Sequence, residues 1–549
     1  TLMFEYPQIG DMVDYLLDEF PGEIAAALGA AGDGSPADVA APAPMPTYIP
    51  LPATHDARHT TGEGSMKDIA VIGIGGCYPG SSGIQEFWQH LLAGHDLVSD
   101  MPAHRRDAMR ALFPDSMAEL GVVQGGFVAD AEYFDAEFFG LDRDQVLAMD
   151  PQQRLFLVAC WQAIEDAGYY PHSLAGSRTG VYVGAISNEY LQAVTLAGFQ
   201  SVHMGTGGAL SGIANRSSYF LDLHGPSQSI DAACCSSLYA VDQAVKDIQS
   251  GACEAALVGG VNYVGTPHSF LAYASMNYLA GDWRCKAFAQ GGDGWSKGEL
   301  FAAVYLKPYE RALADGDAVY AVISASGSAH GGRSHFYEQP NSQQHAELVT
   351  RVLREAGVPA PDLVHIEAHG TGTEMGDALE FNVFQRSLKA LATEQGVDLA
   401  WHSCGLGSVK SNVGHSEAAA GIAGFIKTVL LVHDRAIPPS LHIASANPHL
   451  RLENSPLYLV SERRDLARGE GMPRIHASVH SFNFSGAVAH VVVSEAPVSS
   501  NRARLGLRRF PVCVSARSAD ALRAYVALLA DHVESQAEIS LDALVRTLN

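Results

Sequence analysis

The spacing of apolar residues predicts an α/β chain in which short buried strands alternate with helices. Apolar runs bounded by glycine or polar residues predict buried strands at residues 68–76, 180–184, 255–261, 302–306 and 487–493. Helical spacing begins at Asp150-Pro151, returns behind residue 415, and recurs over 522–533. Further strands are expected over 364–367 and 407–410. The expected fold class is therefore α/β.

One predicted bend and helix hold the first candidate for chemistry. Residues 229–238 approach a bend of small residues and then enter a helix. The buried face of that helix is marked by Leu238, Val241, Val245 and Ile248. We expect its first turn near Cys234, where unpaired backbone N–H groups and the helix dipole favour a reactive thiolate. The alternative is an inert buried cysteine, which is the commoner fate of this residue.

Two histidine segments downstream strengthen the case for Cys234. His369 lies in the bend Glu367–Thr373, and His415 follows Lys410 after the strand predicted at 407–410. Cys234 and His415 both sit at bends that lead into buried helices. This similarity predicts two related halves that face each other across one site.

A thiol, two histidines and a lysine suit acyl transfer through a covalent thioester. Backbone N–H groups near Cys234 could stabilise an oxyanion. The structural alternatives are a Lys410 that extends to water and a solvated helix face for Asp377 and Glu380. Glu380 could instead compensate Lys410 if both are buried, because an unpaired buried charge is costly.

Composition narrows the class of protein further. The chain has 549 residues and a net charge of −25, which gives no overall support for binding nucleic acid. Its 8 cysteines are scattered without a C-x-x-C pair, so we expect no metal site, no disulfide framework and a reducing cytoplasm. No apolar run is long enough to span a membrane, and the first residues lack the basic lead of a signal peptide.

A second nucleophile motif is interpreted as structural. Gly294–Gly298 matches G-x-S-x-G with Ser296 at its centre. A hydrolase elbow needs a strand before the serine and a helix after it. Here a glycine bend precedes the motif and a strand-like run follows it, so a nucleophilic Ser296 is not expected.

Three motifs, in order, resemble the β-ketoacyl synthase domain of bacterial modular type I polyketide synthases. Residues 231–238 match D-T-A-C-S-S-S-L, 367–373 match E-A-H-G-T-G-T, and 407–415 match G-S-V-K-S-N-x-G-H. The resemblance covers about residues 67–496. It implies a thiolase-like fold of layers α-β-α-β-α, usually a homodimer, whose function is condensation of an acyl chain with a malonyl-type unit.

The same resemblance implies residue roles. Cys234 would accept the growing chain from an acyl carrier protein, and His369 and His415 would promote decarboxylation and hold the enolate oxygen. Lys410 would support both histidines, with Asp377 and Glu380 as supporting carboxylates. Thr371 and Thr373 match positions that contact the 4'-phosphopantetheine arm of the carrier protein, and no cofactor is expected on this chain itself. Phe484 matches a gate whose backbone N–H joins that of Cys234 in an oxyanion hole.

The flanking segments are similar to those expected around a synthase domain of a multidomain polyketide synthase. Residues 1–28 are similar to the last helix of an upstream carrier protein, and 29–66 form an Ala/Pro-rich linker. Residues 497–549 look like a linker after the synthase, a small α/β unit with a strand at 512–515 and a helix. The segments Ile213–Arg216 and Asp222–Ser227 are similar to the subclass served by separate acyltransferases, so the expected partners are carrier proteins, a second copy of the chain and an acyltransferase.

The chain departs from the family pattern in two places. Ala232 and Cys235 replace a threonine and a serine beside the nucleophile, and Ala487 and Val488 replace a threonine and an asparagine behind the gate. The second pair puts the hydrogen bonds of the gate in doubt. Two rival interpretations stay open: a non-elongating synthase that only transfers acyl chains, and a non-catalytic scaffold. Retention of His369 favours condensation.

Docking of an acidic carrier protein predicts a local basic patch. The candidates are the arginines Arg105, Arg106, Arg110, Arg502, Arg504, Arg508 and Arg509. The alternative is a solvated surface.

Overall fold

A computed structural model describes residues 68–334, 337–467, 474–497, 512–535, 544–545 and 548. The predictions for residues 1–28 and 29–66, and for the arginines between 502 and 509, lie outside the described residues. No helix in the described ranges is long and apolar enough to cross a membrane.

The described strands are numbered in chain order. They are β1 Ile69–Cys77, β2 Ser99–Asp100, β3 Gln124–Gly125, β4 Thr179–Gly184, β5 Ser227–Ile230, β6 Ala255–Asn262, β7 Leu300–Pro308, β8 Ala321–His330, β9 Leu363–Glu367, β10 Cys404–Gly407, β11 Ala436–Ile437, β12 Leu457–Leu459, β13 Arg464–Asp465, β14 His476–Phe482 and β15 Ala487–Ser494. Every strand predicted from apolar runs in the body of the chain is present.

The described helices are numbered in the same way. They are α1 Ile84–Ala93, α2 Ala103–Leu112, α3 Pro114–Leu120, α4 Arg143–Ala148, α5 Pro151–Asp166, α6 Glu189–Leu196, α7 Met204–Gly207, α8 Ser211–Leu221, α9 Ser236–Gln249, α10 His268–Ser275, α11 Tyr309–Asp315, α12 Ser342–Glu355, α13 Glu374–Gln395, α14 Lys410–Val413, α15 Ala420–Asp434 and α16 Ala519–Ser535. Short 3₁₀ turns occur at 171–174, 360–362, 417–419 and 452–454.

The main sheet contains the same topology twice. Its strand order is β12-β10-β9-β14-β15-β8-β1-β7-β6-β4-β5. From the centre outward, β1-β7-β6-β4-β5 corresponds to β8-β15-β14-β9-β10 in both chain order and strand direction. The two halves meet where β1 pairs with β8 through three residue pairs. The predicted pair of related halves is therefore confirmed by the topology.

Three large hydrophobic clusters define the layers. The central cluster contains apolar residues of α9 and α15 together with strands of both halves. A second cluster packs α5 and α8 on the outer face of the first half. A third packs α12 and α13 on the outer face of the second half. This gives the α-β-α-β-α arrangement of the thiolase-like fold.

The two central helices meet closely beside the candidate site. The backbone N–H of Ile422 donates to Oγ of Ser237 at 2.9 Å. A Cβ atom at Gly421 would lie only 2.8 Å from Cβ and N of Leu238, so glycine allows this approach. The first turns of α9 and α15 are therefore in direct contact.

Three local predictions differ from the structure. The strand expected over 407–410 ends at Gly407, and Lys410 begins a helical turn. Helix α9 begins at Ser236, two residues beyond Cys234. Residues 512–515 form no strand, so within 512–535 only the helix of the expected α/β linker unit is present.

Candidate active site

Cys234 lies at a strained elbow between β5 and α9. The preceding residue, Ala233, has φ of +49°, a backbone conformation that residues other than glycine rarely adopt. Asp231 Oδ1 accepts from the N–H of Ala233 at 3.0 Å. Oγ of Ser236 accepts from the N–H of Ala232 at 2.9 Å and donates to the carbonyl of Ala233 at 2.5 Å. Short polar side chains therefore hold the elbow that carries Cys234.

The two adjacent cysteines have different surroundings. Cys234 is half-buried and lines a small cleft. Cys235 is fully buried in the core between the two halves, where its thiol donates to the carbonyl of Ser481 at 3.2 Å. The substitution of serine by Cys235 therefore changes the core beside the elbow, while Cys234 faces the cleft.

Cys234 is a neutral thiol at neutral pH. Burial raises its pKa to about 12, and the carboxylate of Glu417 acts in the same direction. The ammonium groups of Lys410 and Lys297 oppose this rise. The expectation of a resting thiolate is wrong, because burial outweighs the dipole of a helix that starts beyond Cys234.

His415 is held as a neutral hydrogen-bond donor. Its Nδ1 accepts from the backbone N–H of Glu417 at 2.9 Å. A backbone amide can only donate, so the proton of the neutral ring resides on Nε2. Burial, Lys410 and Lys297 keep the pKa of His415 well below its usual range. The backbone N–H of His415 donates to the carbonyl of Ser296 at 2.7 Å, which fixes the start of this segment.

His369 lies beside His415 on a loop held by a carboxylate. The ring centroids of the two histidines are 5.3 Å apart with an interplanar angle of 84°. Glu380 accepts from the backbone N–H groups of His369 at 2.6 Å and Gly370 at 2.8 Å. Burial, and next Lys410, lower the pKa of His369 well below its usual range. Both imidazoles are therefore neutral.

Ser481 connects the nucleophile elbow with His369. Its Oγ donates to the carbonyl of Cys234 at 3.2 Å and lies 3.5 Å from Nδ1 of His369. The second contact is too long to fix the tautomer of His369. Ser481 joins β14 to both reactive segments, a role that the sequence analysis missed.

Lys410 is buried and does not extend to water. Its side chain is 3% exposed, and burial lowers its pKa while Glu380 and Glu367 oppose that shift. Glu367 accepts from the backbone N–H of Val409 at 2.5 Å and pairs with Lys427 at 2.7 Å. Despite its burial, Glu367 has a pKa lowered to about 2, chiefly by Lys427. Glu367 thus anchors the loop that carries Lys410.

Asp377 and Glu380 are interior groups, so the alternative of a solvated face is wrong. Asp377 Oδ2 accepts from the N–H of Phe288 at 2.6 Å, and Oδ1 accepts from the N–H of Gly372 at 3.3 Å. Burial raises the pKa of Asp377 to about 7 and that of Glu380 to about 8. Asp377 therefore shapes the loop on which Thr371 lies.

Thr371 and Thr373 lie side by side on that loop. Their hydroxyl oxygens are 3.3 Å apart, and both residues are half-buried. A carboxylate-supported bend with two adjacent hydroxyls can accept or donate hydrogen bonds to an extended amide-containing ligand.

Phe484 lines the same cleft as Cys234, and its side chain is 40% exposed. The neighbouring Asn483 fixes the loop: its Nδ2 donates to the carbonyl of Ala232 at 2.7 Å, and its Oδ1 accepts from the N–H groups of Ser485 and Ala487 at 2.9 Å each. Asn483, at a position where the family pattern has glycine, therefore holds this loop with three hydrogen bonds of its side chain.

Four wall residues of the cleft were missed by the sequence analysis. They are Tyr273, Tyr278, Trp295 and Glu417. Glu417 stands two residues after His415, and Trp295 lies in the G-x-S-x-G segment, so proximity to the motifs was an available signal. Tyr273 and Tyr278 come from α10 and the loop behind it, and no motif marks them.

Two further predicted residues have structural surroundings. Ser296 is completely buried, in agreement with its interpretation as structural. Arg105 is 4% exposed and pairs with Glu299 at 2.6 Å and Glu132 at 2.6 Å. Arg105 is therefore an interior residue, and its assignment to a docking patch is wrong.

A cysteine elbow and two neutral histidines, contributed by equivalent halves of a thiolase-like fold, define an acyl-condensing type of enzyme. The β-ketoacyl synthase N-terminal domain model matches residues 66–312, and the β-ketoacyl synthase C-terminal domain model matches 320–444. The chain belongs to the β-ketoacyl synthase family, and it is a ketosynthase domain of the acyltransferase class.

Curated relatives of the chain are large polyketide synthases. Polyketide synthase PksM of Bacillus subtilis (strain 168) is 34% identical over 571 residues, which cover 100% of this chain and 13% of the relative. Polyketide synthase ThaG of Burkholderia thailandensis is 39% identical over 500 residues, covering 87% of this chain and 9% of the relative. The chain thus spans a small part of the relatives it matches.

Solved ketosynthase domains have the same fold. The oxazolomycin ketosynthase domain OzmH KS7 of Streptomyces albus JA3453 superposes with a TM-score of 0.78 at 34% identity, covering 88% of this chain and 84% of that one. The ketosynthase from module 6 of the bacillaene synthase of Bacillus subtilis 168 gives a TM-score of 0.76 at 33% identity, covering 88% and 79%.

Proposed function

We propose that this ketosynthase extends polyketide chains by decarboxylative Claisen condensation, with Cys234 as the acylated residue. The observation that carries the proposal is the pair of neutral imidazoles, His369 and His415, whose rings lie 5.3 Å apart beside the cleft of Cys234. A pure acyl-transfer site needs a nucleophile and an oxyanion hole, whereas condensation also needs hydrogen bonds to an enolate.

The first step is thioester exchange at Cys234. The thiol sulfur bonds the acyl carbon delivered on a carrier protein's phosphopantetheine arm, the C–S bond of the arm breaks, and the proton of Cys234 ends on the departing thiol. The backbone N–H groups of Cys234 and Phe484 stabilise the oxyanion of this step. Lys410 assists by opposing the high pKa of the Cys234 thiol.

The second step joins the two chains. A malonyl-type thioester on the carrier protein of the same module loses CO₂, and the electron pair of the broken C–C bond forms an enolate. Nε2–H of His415 donates to the enolate oxygen, and the neutral ring of His369 is the second group that holds this oxygen. The enolate carbon then attacks the acyl carbon, and the C–S bond to Cys234 breaks. The sulfur leaves as a thiolate and takes a proton from solvent, which restores the resting thiol, while the β-ketoacyl product remains on the carrier protein.

The phosphopantetheine arm enters along Thr371 and Thr373 in this proposal. Their adjacent hydroxyls, on a loop anchored by Asp377, suit the amide groups of that arm. The arm belongs to the carrier-protein substrate, and this chain supplies only its binding groups.

The flanking segments complete the proposed module. Residues 1–28 would end an upstream carrier domain, 29–66 would be a linker, 67–496 the ketosynthase, and 497–549 the post-ketosynthase linker. Support for the last assignment comes from Arg517, which donates to the carbonyl of Glu137 at 3.2 Å and lies over the ring of Phe138 at 4.8 Å. We further propose a homodimer in the cytoplasm, served by a separate acyltransferase.

A two-stage mass measurement tests the function. The full chain is incubated with an acyl thioester, and the acyl mass should appear on Cys234 and be absent from Cys234→Ala. Malonyl carrier protein is then added, and a β-ketoacyl carrier protein should form. His369→Ala should keep the acyl mass but give no extended product.

Two outcomes would contradict the proposal. Acylation of Cys234 followed by transfer of the unchanged acyl group would indicate a non-elongating synthase. A folded chain that takes no acyl group at all would indicate a scaffold. Both are distinguished from condensation by the mass of the carrier-bound product.

A further inference from the structure

One wall of the cleft beside Cys234 carries hydrogen-bonding groups that the condensation chemistry does not use. Glu417, Tyr273 and Trp295 line it together with Cys234 and His415. An acyl chain attached to Cys234 would enter a cleft that these groups line. Their hydrogen-bonding capacity therefore bears on which acyl chains are accepted.

Glu417 is the acceptor of this wall. One carboxylate oxygen pairs with Nζ of Lys297 at 2.5 Å, and the other lies 3.4 Å from the hydroxyl of Tyr273. The second contact is long, so that oxygen retains capacity for a further donor. Lys297 is 2% exposed and lies over the rings of Phe270 at 5.3 Å and Tyr273 at 5.0 Å.

The ion pair keeps the wall electrically balanced. Lys297 supplies the positive charge that Glu417 needs in the interior. The polarity of the wall therefore comes from hydrogen-bonding groups with little net charge, which favours a neutral polar substituent over an ionised one.

Trp295 is the donor of this wall. Its indole Nε1–H is buried and has no hydrogen-bond partner in the described part of the chain. The ring stacks on Tyr278 with centroids 4.9 Å apart and lies 5.6 Å from the ring of His415. A buried N–H without an acceptor is unusual in a folded protein, and a ligand oxygen would satisfy it.

We propose that the acyl chain accepted by Cys234 carries a hydroxyl group close to the thioester, and that Glu417 and Trp295 select it. This inference deepens the proposed function and rests on it. The hydroxyl hydrogen is donated to the carboxylate of Glu417, and the hydroxyl oxygen accepts from Nε1–H of Trp295. A 3-hydroxyacyl chain belongs to this class.

A saturated acyl chain would lose both hydrogen bonds. It would place methylene groups against the carboxylate of Glu417 and leave the N–H of Trp295 without an acceptor. Sites that leave buried polar groups unpaired discriminate strongly, so we expect a difference of about 10- to 100-fold in acylation efficiency. The 3-hydroxyacyl chain should be the faster substrate.

Acylation kinetics with four matched thioesters test the proposal. The N-acetylcysteamine thioesters of (3R)-3-hydroxybutanoate, (3S)-3-hydroxybutanoate, butanoate and but-2-enoate have the same carbon chain length. The full-length chain is treated with each, and the rate of acylation of Cys234 is followed by mass spectrometry over a range of concentrations. At least one hydroxybutanoyl enantiomer should exceed butanoyl by tenfold or more in kcat/KM.

Variants assign the preference to the wall. Trp295→Phe removes the indole N–H and keeps an aromatic ring, so the hydroxybutanoyl-to-butanoyl ratio should fall at least fivefold. The double variant Lys297→Met/Glu417→Leu removes the ion pair as a unit, avoids an unpaired buried charge, and should also lower the ratio. Trp401→Phe removes an indole N–H from a residue that is 58% exposed and absent from the cleft wall, and its ratio should stay unchanged.

Three results decide the matter. Equal acylation by butanoyl and both hydroxybutanoyl thioesters overturns the selection of a hydroxyl group. A hydroxybutanoyl preference that survives both wall changes overturns the assignment to Glu417 and Trp295. If a folded chain is acylated by none of the thioesters, the proposed function fails, and the inference falls with it.

Discussion

The side chain of Asn483 ties the loop of Phe484 to the elbow that carries Cys234, since its Nδ2 donates to the carbonyl of Ala232 at 2.7 Å. Its Oδ1 at the same time accepts from the N–H groups of Ser485 and Ala487. One amide thus fixes the loop of Phe484 relative to Cys234. Any movement of the Phe484 loop relative to the elbow requires the bond to Ala232 to break.

Replacement of Asn483 by glycine should loosen the gate. Asn483→Gly removes the bonds to Ala232, Ser485 and Ala487, so the free energy of unfolding should fall by about 1–3 kcal/mol. The amides of Ser485 and Ala487 should exchange hydrogen faster. Asn483→Asp is the matched control: it keeps the acceptor for both amides and replaces the bond to Ala232 by repulsion between two oxygens, so both amides should stay protected. Equal exchange in the two variants would contradict the role of Oδ1.

The pH dependence of alkylation tests the state of Cys234. Because burial raises its pKa to about 12, only a small fraction is thiolate at pH 7. The rate of iodoacetamide modification of the Cys234 peptide should rise about tenfold per pH unit between pH 7 and 9. Lys410→Met removes a charge that lowers this pKa, so the variant should react more slowly at every pH. A rate that levels off below pH 8 would mean that the thiol is acidic after all.

Removal of one partner of the buried pair Glu367–Lys427 should be costly. Lys427→Met leaves the carboxylate of Glu367 charged, buried and unpaired, which should lower the free energy of unfolding by about 3–5 kcal/mol. The double variant Glu367→Gln/Lys427→Met removes both charges and should recover most of that loss. Urea unfolding measures both values. If the double variant is as unstable as the single one, the cost comes from packing around Lys427 and not from charge.

Buried histidines behind the site should make the fold sensitive to acid. His345, His480 and His490 are at most 2% exposed, and their ring nitrogens have no hydrogen-bond partner within the described ranges. Burial lowers the pKa of His345 to about 4 and that of His490 to about 3. These rings stay neutral in the folded state but bind protons in the unfolded state below pH 6.5.

The sign of the effect follows from this difference in proton binding. The contribution of these neutral rings to the free energy of unfolding is fully present above pH 6.5 and is lost as the pH approaches 4. For His345 the loss is about 2 kcal/mol at pH 5. Calorimetric unfolding at pH 7.5, 6 and 5 measures the slope. His345→Gln should reduce the slope of the free energy of unfolding against pH by the amount that one bound proton contributes. His402→Gln, on an exposed turn, should leave that slope unchanged. Identical slopes in all three proteins would exclude His345 as a contributor.

Sequence patterns predicted the fold and the position of the reactive residues. Glycine-bounded apolar runs located the main strands, and two similar bends, at Cys234 and His415, indicated duplicated halves. Such features are local, because they depend on periodicity and on side chains a few residues apart. The structure agrees with this duplication, since Cys234 lies beyond the end of β5 and His415 lies beyond the end of its counterpart β10.

The remaining features depend on contacts between distant segments. The neutral state of Cys234 results from burial by both halves, which no local pattern reports. Lys297 and Glu417 are 120 positions apart in the chain, and the sequence around each one is typical of a charged surface residue. The bond from Asn483 to Ala232 was not predicted for the same reason, because the two residues are 251 positions apart in the chain.

The close approach of the central helices at Gly421 has a consequence for engineering. Exchanging one half of this domain for that of a relative would keep the bends at Cys234 and His415 intact. The sulfur and the imidazole, however, lie on opposite sides of the contact between α9 and α15. A bulkier residue at Gly421 would push the helices apart and misalign sulfur and imidazole without altering either. Grafts that respect this contact should therefore be the ones that preserve turnover.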